Sequence, residues 1–203
     1  MADSPPAAAT LKTPLHSLHV ELGARTVPFA GYDMSVSYPA GIIAEHRQCR
    51  EAAALFDVSH MGRVYVTGPD AARLLRRVVT YKVDQLAPGE AHYALMCNDQ
   101  GGILDDVFVY RIELERFLVV NNASNADMGR ERIASFVEPG RQVELHSPDT
   151  VMLALQGPDA PAALEQLVGQ DIPRSLPKRR CVEAAFAAAA PLFVSRTGYT
   201  GED

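Results

Sequence analysis

Two adjacent aspartates at the head of an apolar run constrain this chain more than any other segment: Gly101-Gly102-Ile103-Leu104-Asp105-Asp106-Val107-Phe108-Val109-Tyr110. The β-branched and aromatic residues suit an extended ladder, whereas strand interiors disfavour Asp. A carboxylate withdrawn from water without partners costs several kcal/mol or is forced to protonate. Side chains alternate along a strand, so Leu104, Asp106, Phe108 and Tyr110 share one face and Ile103, Asp105, Val107 and Val109 the other. Only the Asp106 face carries aromatics, and a flat ring would suit it. Carboxylates in clefts are enriched at functional sites. The alternative is that one or both aspartates sit at the turn end, accept backbone N–H bonds and serve the fold alone.

The surrounding sequence supplies partners for that strand. Ile103 to Ile112 and Arg116 to Asn121 read as a hairpin, and Tyr93 to Cys97 as a strand before it. Asn98-Asp99-Gln100-Gly101-Gly102 reads as the turn, its glycines supplying positive φ. Arg63 to Thr67 alternates, and Gly68-Pro69-Asp70 leads into a helix whose Ala71, Leu74, Leu75 and Val78 form one apolar stripe. Pro69 falls near the first turn, where its missing N–H costs nothing. Helices are predicted over Ile42 to Leu55 and about Asn125 to Val137, the second N-capped by Ser124 or Asn125 and stopped by Pro139-Gly140. Val143 to His146, Val151 to Gln156 and Pro191 or Leu192 to Ser195 read as further strands, and Thr13-Pro14 before Leu15 and Leu18 as a short helix start. Residues 1 to about 12, rich in Ala and Pro, read as a flexible tail.

Val66-Thr67-Gly68-Pro69-Asp70-Ala71 resembles Leu155-Gln156-Gly157-Pro158-Asp159-Ala160, each a strand running into an amphipathic helix. Repeated units of this kind imply an α+β fold with antiparallel sheets flanked by helices, not a parallel dinucleotide-binding sheet.

Composition excludes several function classes. Hydrophobic residues make up 47% of the 203 residues and charged ones 22%, which argues against disorder along most of the length. A formal charge of -6 argues against nucleic acid as the main partner, because phosphate binding needs a basic footprint. Cys49, Cys97 and Cys181 are far apart and form no C-x-x-C pair, which fits a reducing compartment and gives no disulfide or zinc signature. The start of the chain lacks a secretory or mitochondrial pattern, and no apolar run reaches membrane-spanning length, so a cytoplasmic location is expected. No phosphate-binding glycine loop, zinc-protease motif or nucleophile elbow is present, and the six histidines are scattered.

Two further segments are candidates. Phe56-Asp57-Val58-Ser59-His60-Met61-Gly62 reads either as a ligand-facing loop with Met61 packed on a ring, or as a plain loop capped by Asp57 and Ser59. Ser195-Arg196-Thr197-Gly198-Tyr199-Thr200-Gly201-Glu202-Asp203 follows a strand directly, as functional loops do. Glu202 could accept paired hydrogen bonds from a planar N–H fork, or be a solvated acid.

Taken together these strings resemble the aminomethyltransferase, or T-protein, family of the glycine cleavage system. Thr13-Pro14-Leu15-His16, Val20-Glu21-Leu22-Gly23-Ala24, Phe29-Ala30-Gly31, Glu45-His46, the Phe56-to-Gly62 string, Gly101-Gly102-Ile103-Leu104-Asp105-Asp106, Gln156-Gly157-Pro158 and the Ser195-to-Asp203 string occur in the family's order. The resemblance implies a fold of ferredoxin-like units around a folate pocket. Here it implies two intertwined subdomains, about 13–62 with 138–203, and about 63–137. It implies tetrahydrofolate as co-substrate and the lipoyl-bearing H protein as partner, with no nucleic acid and no membrane. It also implies Asp106 as the essential carboxylate beside the nucleophilic pterin nitrogen, with Met61, Tyr93, Tyr110, Asn121, Tyr199 and Glu202 lining the folate site. Alternatives within reach of the same resemblance are a folate-dependent demethylase module and a folate-binding relative without catalysis. Tyr81-Lys82 departs from the family's usual Asn-Asp, and Gly31-Tyr32 from its usual Gly-Trp.

Overall fold

The structure is a computed structural model describing residues 10–168, 172–186 and 190–201. Its elements, in order, are α1 His16–Glu21, β1 Arg25–Phe29, β2 Tyr32–Ser37, α2 Ile42–Glu51, β3 Ala54–Asp57, β4 Gly62–Thr67, α3 Ala71–Val78, β5 Glu90–Cys97, β6 Ile103–Glu113 and β7 Arg116–Asn121. They continue with α4 Ala126–Ala134, β8 Glu144–His146, β9 Leu153–Gln156, α5 Ala160–Val168, α6 Ile172–Ser175, β10 Cys181–Phe186 and β11 Ala190–Ser195.

The aspartate-bearing strand β6 lies inside a five-stranded antiparallel sheet of order β5-β6-β7-β4-β8. Its alternation divides the protein. Val107 and Val109 join Val119, Phe117, Val64 and Val66 on one face, and Leu74, Leu75 and Val78 of α3 and Ile133 of α4 close over them. Many of these side chains are fully buried, and each contributes roughly 1.5–3 kcal/mol by leaving water. This face anchors the sheet. On the other face Tyr110, Leu118, Val120 and Ala91 form a smaller core with Cys181, and the β10–β11 hairpin covers part of it through Phe193. The rest of that face, toward Asp106, is open.

The two Gly-Pro-Asp strings adopt the same geometry. Gly68 and Gly157 take φ of 116° and 125°. The amide of the residue three further on, Ala71 or Ala160, donates to each glycine's carbonyl at 3.0 Å. Both alanines are buried at the start of α3 and α5. A Cβ at Gly68 would lie 2.0 Å from the Gln142 carbonyl oxygen, and one at Gly157 2.4 Å from that of Ala52. The repeat is thus a repeated strand-turn-helix joint.

Several expected boundaries move. The helix predicted to Leu55 ends at Glu51, because the Ala52 carbonyl receives the Asp159 amide (2.9 Å) and β3 then pairs with β9. The helix predicted to Val137 ends at Ala134, and Asn125 does not cap it with its side chain. The β1–β2 hairpin and strand β10 were not foreseen. Leu11, in the stretch expected as tail, exchanges backbone hydrogen bonds with Gly31 and Asp33. β8 carries the five-stranded sheet past the division expected near residue 137. Among the described residues, no helix is long and apolar enough to cross a membrane.

Replacing Gly157 by Ala forces a side chain into a positive-φ turn against backbone oxygen. The expected loss is about 2–3 kcal/mol, or roughly 4–12 °C in Tm for a domain of this size. Thermal unfolding by circular dichroism checks it, and an unchanged Tm contradicts the account of this joint.

Candidate functional site

Alternation along β6 separates the two aspartates. Asp105 points into the helix-covered side, 4% exposed, whereas Asp106 is exposed. The Asp105 carboxylate is clamped by amides. Its Oδ1 accepts from Asn122 Nδ2 (2.8 Å) and Asn125 Nδ2 (2.9 Å), and its Oδ2 from the Asn122 backbone N–H (3.1 Å) and Asn121 Nδ2 (3.4 Å). These bonds tie the start of β6 to the end of β7 and the entry of α4. The Asn125 side chain makes no cap bond to α4. Among the described residues the Asp106 carboxylate accepts a single side-chain bond, from Asn122 Nδ2 to Oδ1 at 2.8 Å.

Asp106 faces a cleft of about 540 Å³, within the size range of small-molecule sites. Leu95, Ile103 and Leu104 of the sheet form its floor, and Asn122 and Asn125 one wall. Phe29 and Ala30 of the β1–β2 turn, His60 and Met61 after β3, and Tyr199 of the last loop close the others.

Two anchored loops bring His60, Met61 and Tyr199 there. In the first, Asp57 accepts from the Ser59 amide (2.9 Å) and from His19 Nε2 (3.0 Å), whose Nδ1 shares a bond with the Tyr38 hydroxyl (2.7 Å). Burial pushes the Asp57 carboxyl up, but the hydrogen bonds from Ser59, His19 and Thr13 outweigh it and hold it below its ordinary value. Ser59 Oγ accepts from the Met152 amide at 3.0 Å, fastening the loop to the start of β9. The capping reading of Asp57 and Ser59 and the ligand-facing reading of Met61 therefore describe two ends of one loop. His60 is buried, edge-on to Phe29 and Tyr32, and burial lowers its pKa against the opposing pull of Asp57.

In the second loop, the buried Gln156 Oε1 accepts from the amides of Tyr199 (2.7 Å) and Thr200 (3.0 Å) and from the Thr200 hydroxyl (3.1 Å). The Tyr110 hydroxyl bonds Thr197 Oγ1 at 3.1 Å.

Of the residues expected at a folate site, Asp106, Met61 and Tyr199 meet at this cleft. Tyr93 shares the sheet face but lies outside the cleft lining, exposed, with its ring edge-on to Phe108 at 4.8 Å. Tyr110 is buried beneath the β10–β11 hairpin, which pushes its phenol up in pKa, and it holds the last loop instead of lining the cleft. Asn121 is one residue out of phase: it is fully buried on the helix side, and its neighbour Asn122 faces the cleft. Glu202 lies outside the described residues. Sequence reasoning missed Asn122, although period-2 counting along β7 puts it on the Asp106 side. Among the described residues no cluster of three or more His, Cys, Asp or Glu could hold a metal ion. The cysteines are free thiols, and burial pushes that of Cys181 up to about 11.

The family model described as the GCVT N-terminal domain matches residues 15–203. An aminomethyltransferase of Desulforamulus reducens is 44% identical over 191 residues, which are 94% of this chain and 52% of that protein. The chain thus spans about half the length of the curated relatives it matches. The crystal structure of the glycine cleavage system aminomethyltransferase T from Bartonella henselae superposes with a TM-score of 0.88 at 34% identity, over 96% of this chain and 52% of that one. A heterotetrameric sarcosine oxidase of Corynebacterium sp. U-96 shares the fold, with a TM-score of 0.56 at 15% identity over 92% of this chain and 81% of that one.

The two aspartates should separate in stability measurements. Asp105→Ala strands several buried amides and should cost about 3 kcal/mol or more. Asp106→Ala should stay within about 0.5 kcal/mol of the parent, both read by urea unfolding. Equal losses would contradict this division. Asp57 sets a pH dependence. Its folded pKa lies below its unfolded value, so the unfolded chain takes up the proton first as pH falls. Its contribution is full above about pH 4 and lost as pH drops through the folded value. The stability gap between the parent and Asp57→Asn should therefore be flat near neutrality and shrink below about pH 4. A gap that widens in acid contradicts the assignment.

Proposed function

The chain belongs to the GCVT N-terminal domain family, and from that membership we propose that it carries the folate cleft of an aminomethyltransferase. In this reading the methylene of an aminomethyl group, borne on sulfur by the lipoyl arm of the H protein, passes to two nitrogens of tetrahydrofolate, its C–S and C–N bonds break, and the two folate N–H protons leave with the lipoyl thiol and with ammonia. The observation that carries the reading is the position of Asp106: a carboxylate at the edge of a cleft lined on one side by Asn122 and Asn125 and elsewhere by Phe29, Met61, Leu95 and Ile103.

The chemistry favours such a group. The departing amine and the attacking ring nitrogen both pass through positively charged forms. A fixed carboxylate beside apolar walls stabilises developing positive charge more than water does, because it is already oriented. It can also accept the proton that the attacking nitrogen must shed. Met61 offers a polarizable side chain to the face of a flat ring, and Tyr199 an exposed ring on the opposite loop. The asparagine amides occupy the Asp105 carboxylate, so the two acids have separate tasks.

Two measurements test the reading. Titration calorimetry of the chain with tetrahydrofolate should give heat that Met61→Ala weakens. In a full-length protein carrying these residues, Asp106→Asn should lower turnover by roughly 100-fold or more, on the scale of general-base loss, with folate still bound. Binding without turnover in the unmutated full-length protein would instead favour a folate-binding relative without catalysis. Unchanged turnover in Asp106→Asn would defeat the role given to Asp106.

A further inference from the structure

We propose that Asn122 is a positioning residue for the Asp106 carboxylate and that buried Asp105 is the fixed point holding Asn122 in place. The inference rests on the role given to Asp106 above.

An asparagine side-chain amide has two N–H donors. Nδ2 of Asn122 lies 2.8 Å from Asp105 Oδ1 and 2.8 Å from Asp106 Oδ1. One proton therefore serves each carboxylate, with a longer contact of 3.2 Å to the Asp106 backbone carbonyl. The donor is fully used. Its placement is overdetermined, because the Asn122 backbone N–H also donates to Asp105, at 3.1 Å.

Adjacent acids on a strand point to opposite faces and would otherwise be independent. Here one amide couples them. Asp106 is exposed, and an exposed carboxylate with no partner samples several rotamers. A bond to Oδ1 restricts it, and among the described residues Oδ2 carries no hydrogen bond, so it is left for a ligand. Misplacing a reacting group by about 1 Å can cost on the order of 100-fold in rate. Supporting side chains that lock such a group therefore matter even without touching substrate. Asp105 supplies that lock: it is buried and held by three asparagines, and it does not itself need to reach the reacting atoms.

The test is a mutant cycle in a full-length protein carrying these residues, with kcat and the KM for tetrahydrofolate measured separately. Asn122→Ala should lower kcat about 10- to 100-fold while KM changes less than about threefold, the pattern of a lost transition-state interaction. In an Asp106→Asn background the same change should cost less than about twofold further, because residues that act as a unit are not additive. Asn121→Ala removes one Asp105 partner without touching Asp106 or the cleft lining, and should cost less kcat than Asn122→Ala at matched loss of Tm. If Asn122→Ala does not fold, Asn122→Gln carries the same arms. Normal kcat in the Asn122 variant, losses that multiply with Asp106→Asn, or an equal loss from Asn121→Ala would each overturn the positioning role. Full turnover of Asp106→Asn alone would overturn the function reading instead, so the two failures are distinguishable.

Discussion

The buried carboxylate of Asp105 is the constraint on which the cleft depends. Left without partners, a charge in that position would cost several kcal/mol. The structure meets it with four N–H donors from Asn121, Asn122 and Asn125. Meeting it draws three chain segments together: the start of β6, the end of β7 and the entry of α4. The by-product is geometric. Asp106, one residue on, emerges on the opposite face at a fixed height above the sheet, beside an asparagine that is already anchored.

The sheet works as a partition. Its helix-covered face is filled with valines, leucines and Phe117, and supplies rigidity. Its other face is only partly covered, and the cleft occupies the open end. Both loops at the rim are also held from outside their own sequence. The Ser59 loop is bonded to Met152, and the Tyr199 loop is gripped by Gln156 and Tyr110. Some residues conspicuous in the sequence as aromatic or polar thus face the cleft, and others hold a cleft-facing loop. Tyr110 belongs to the second kind.

Much of this was legible in the residues. The alternation in Ile103 to Ile112 gave the correct faces for both aspartates, and Arg116 to Asn121 pairs as expected. The Gly-Pro-Asp repeat marked two equivalent joints. What escaped prediction has physical causes outside the local sequence. Ala52, Ala53 and Ala54 are good helix formers and carry no stop signal. The helix ends there because the second joint, a hundred residues later, claims the Ala52 carbonyl. The β1–β2 hairpin holds Pro28, which removes a ladder donor and lowers any strand expectation, yet is tolerated in a two-stranded hairpin. Asn125 looked like a helix cap, but its side chain makes no cap bond and its amide nitrogen is instead committed to the buried Asp105 carboxylate. Asn121 and Asn122 could be told apart only by counting phase from the strand.

The central claim is that Asp106, steadied from below, meets the reacting nitrogen of a folate ring lying over Met61. A crystal structure with a stable tetrahydrofolate analogue bound measures this directly. The account predicts the pterin in the cleft and an Asp106 carboxylate oxygen within about 3.5 Å of its reactive nitrogen, with the Asn122 bond intact. A ring bound elsewhere, or one in the cleft with Asp106 turned away to solvent, would contradict it.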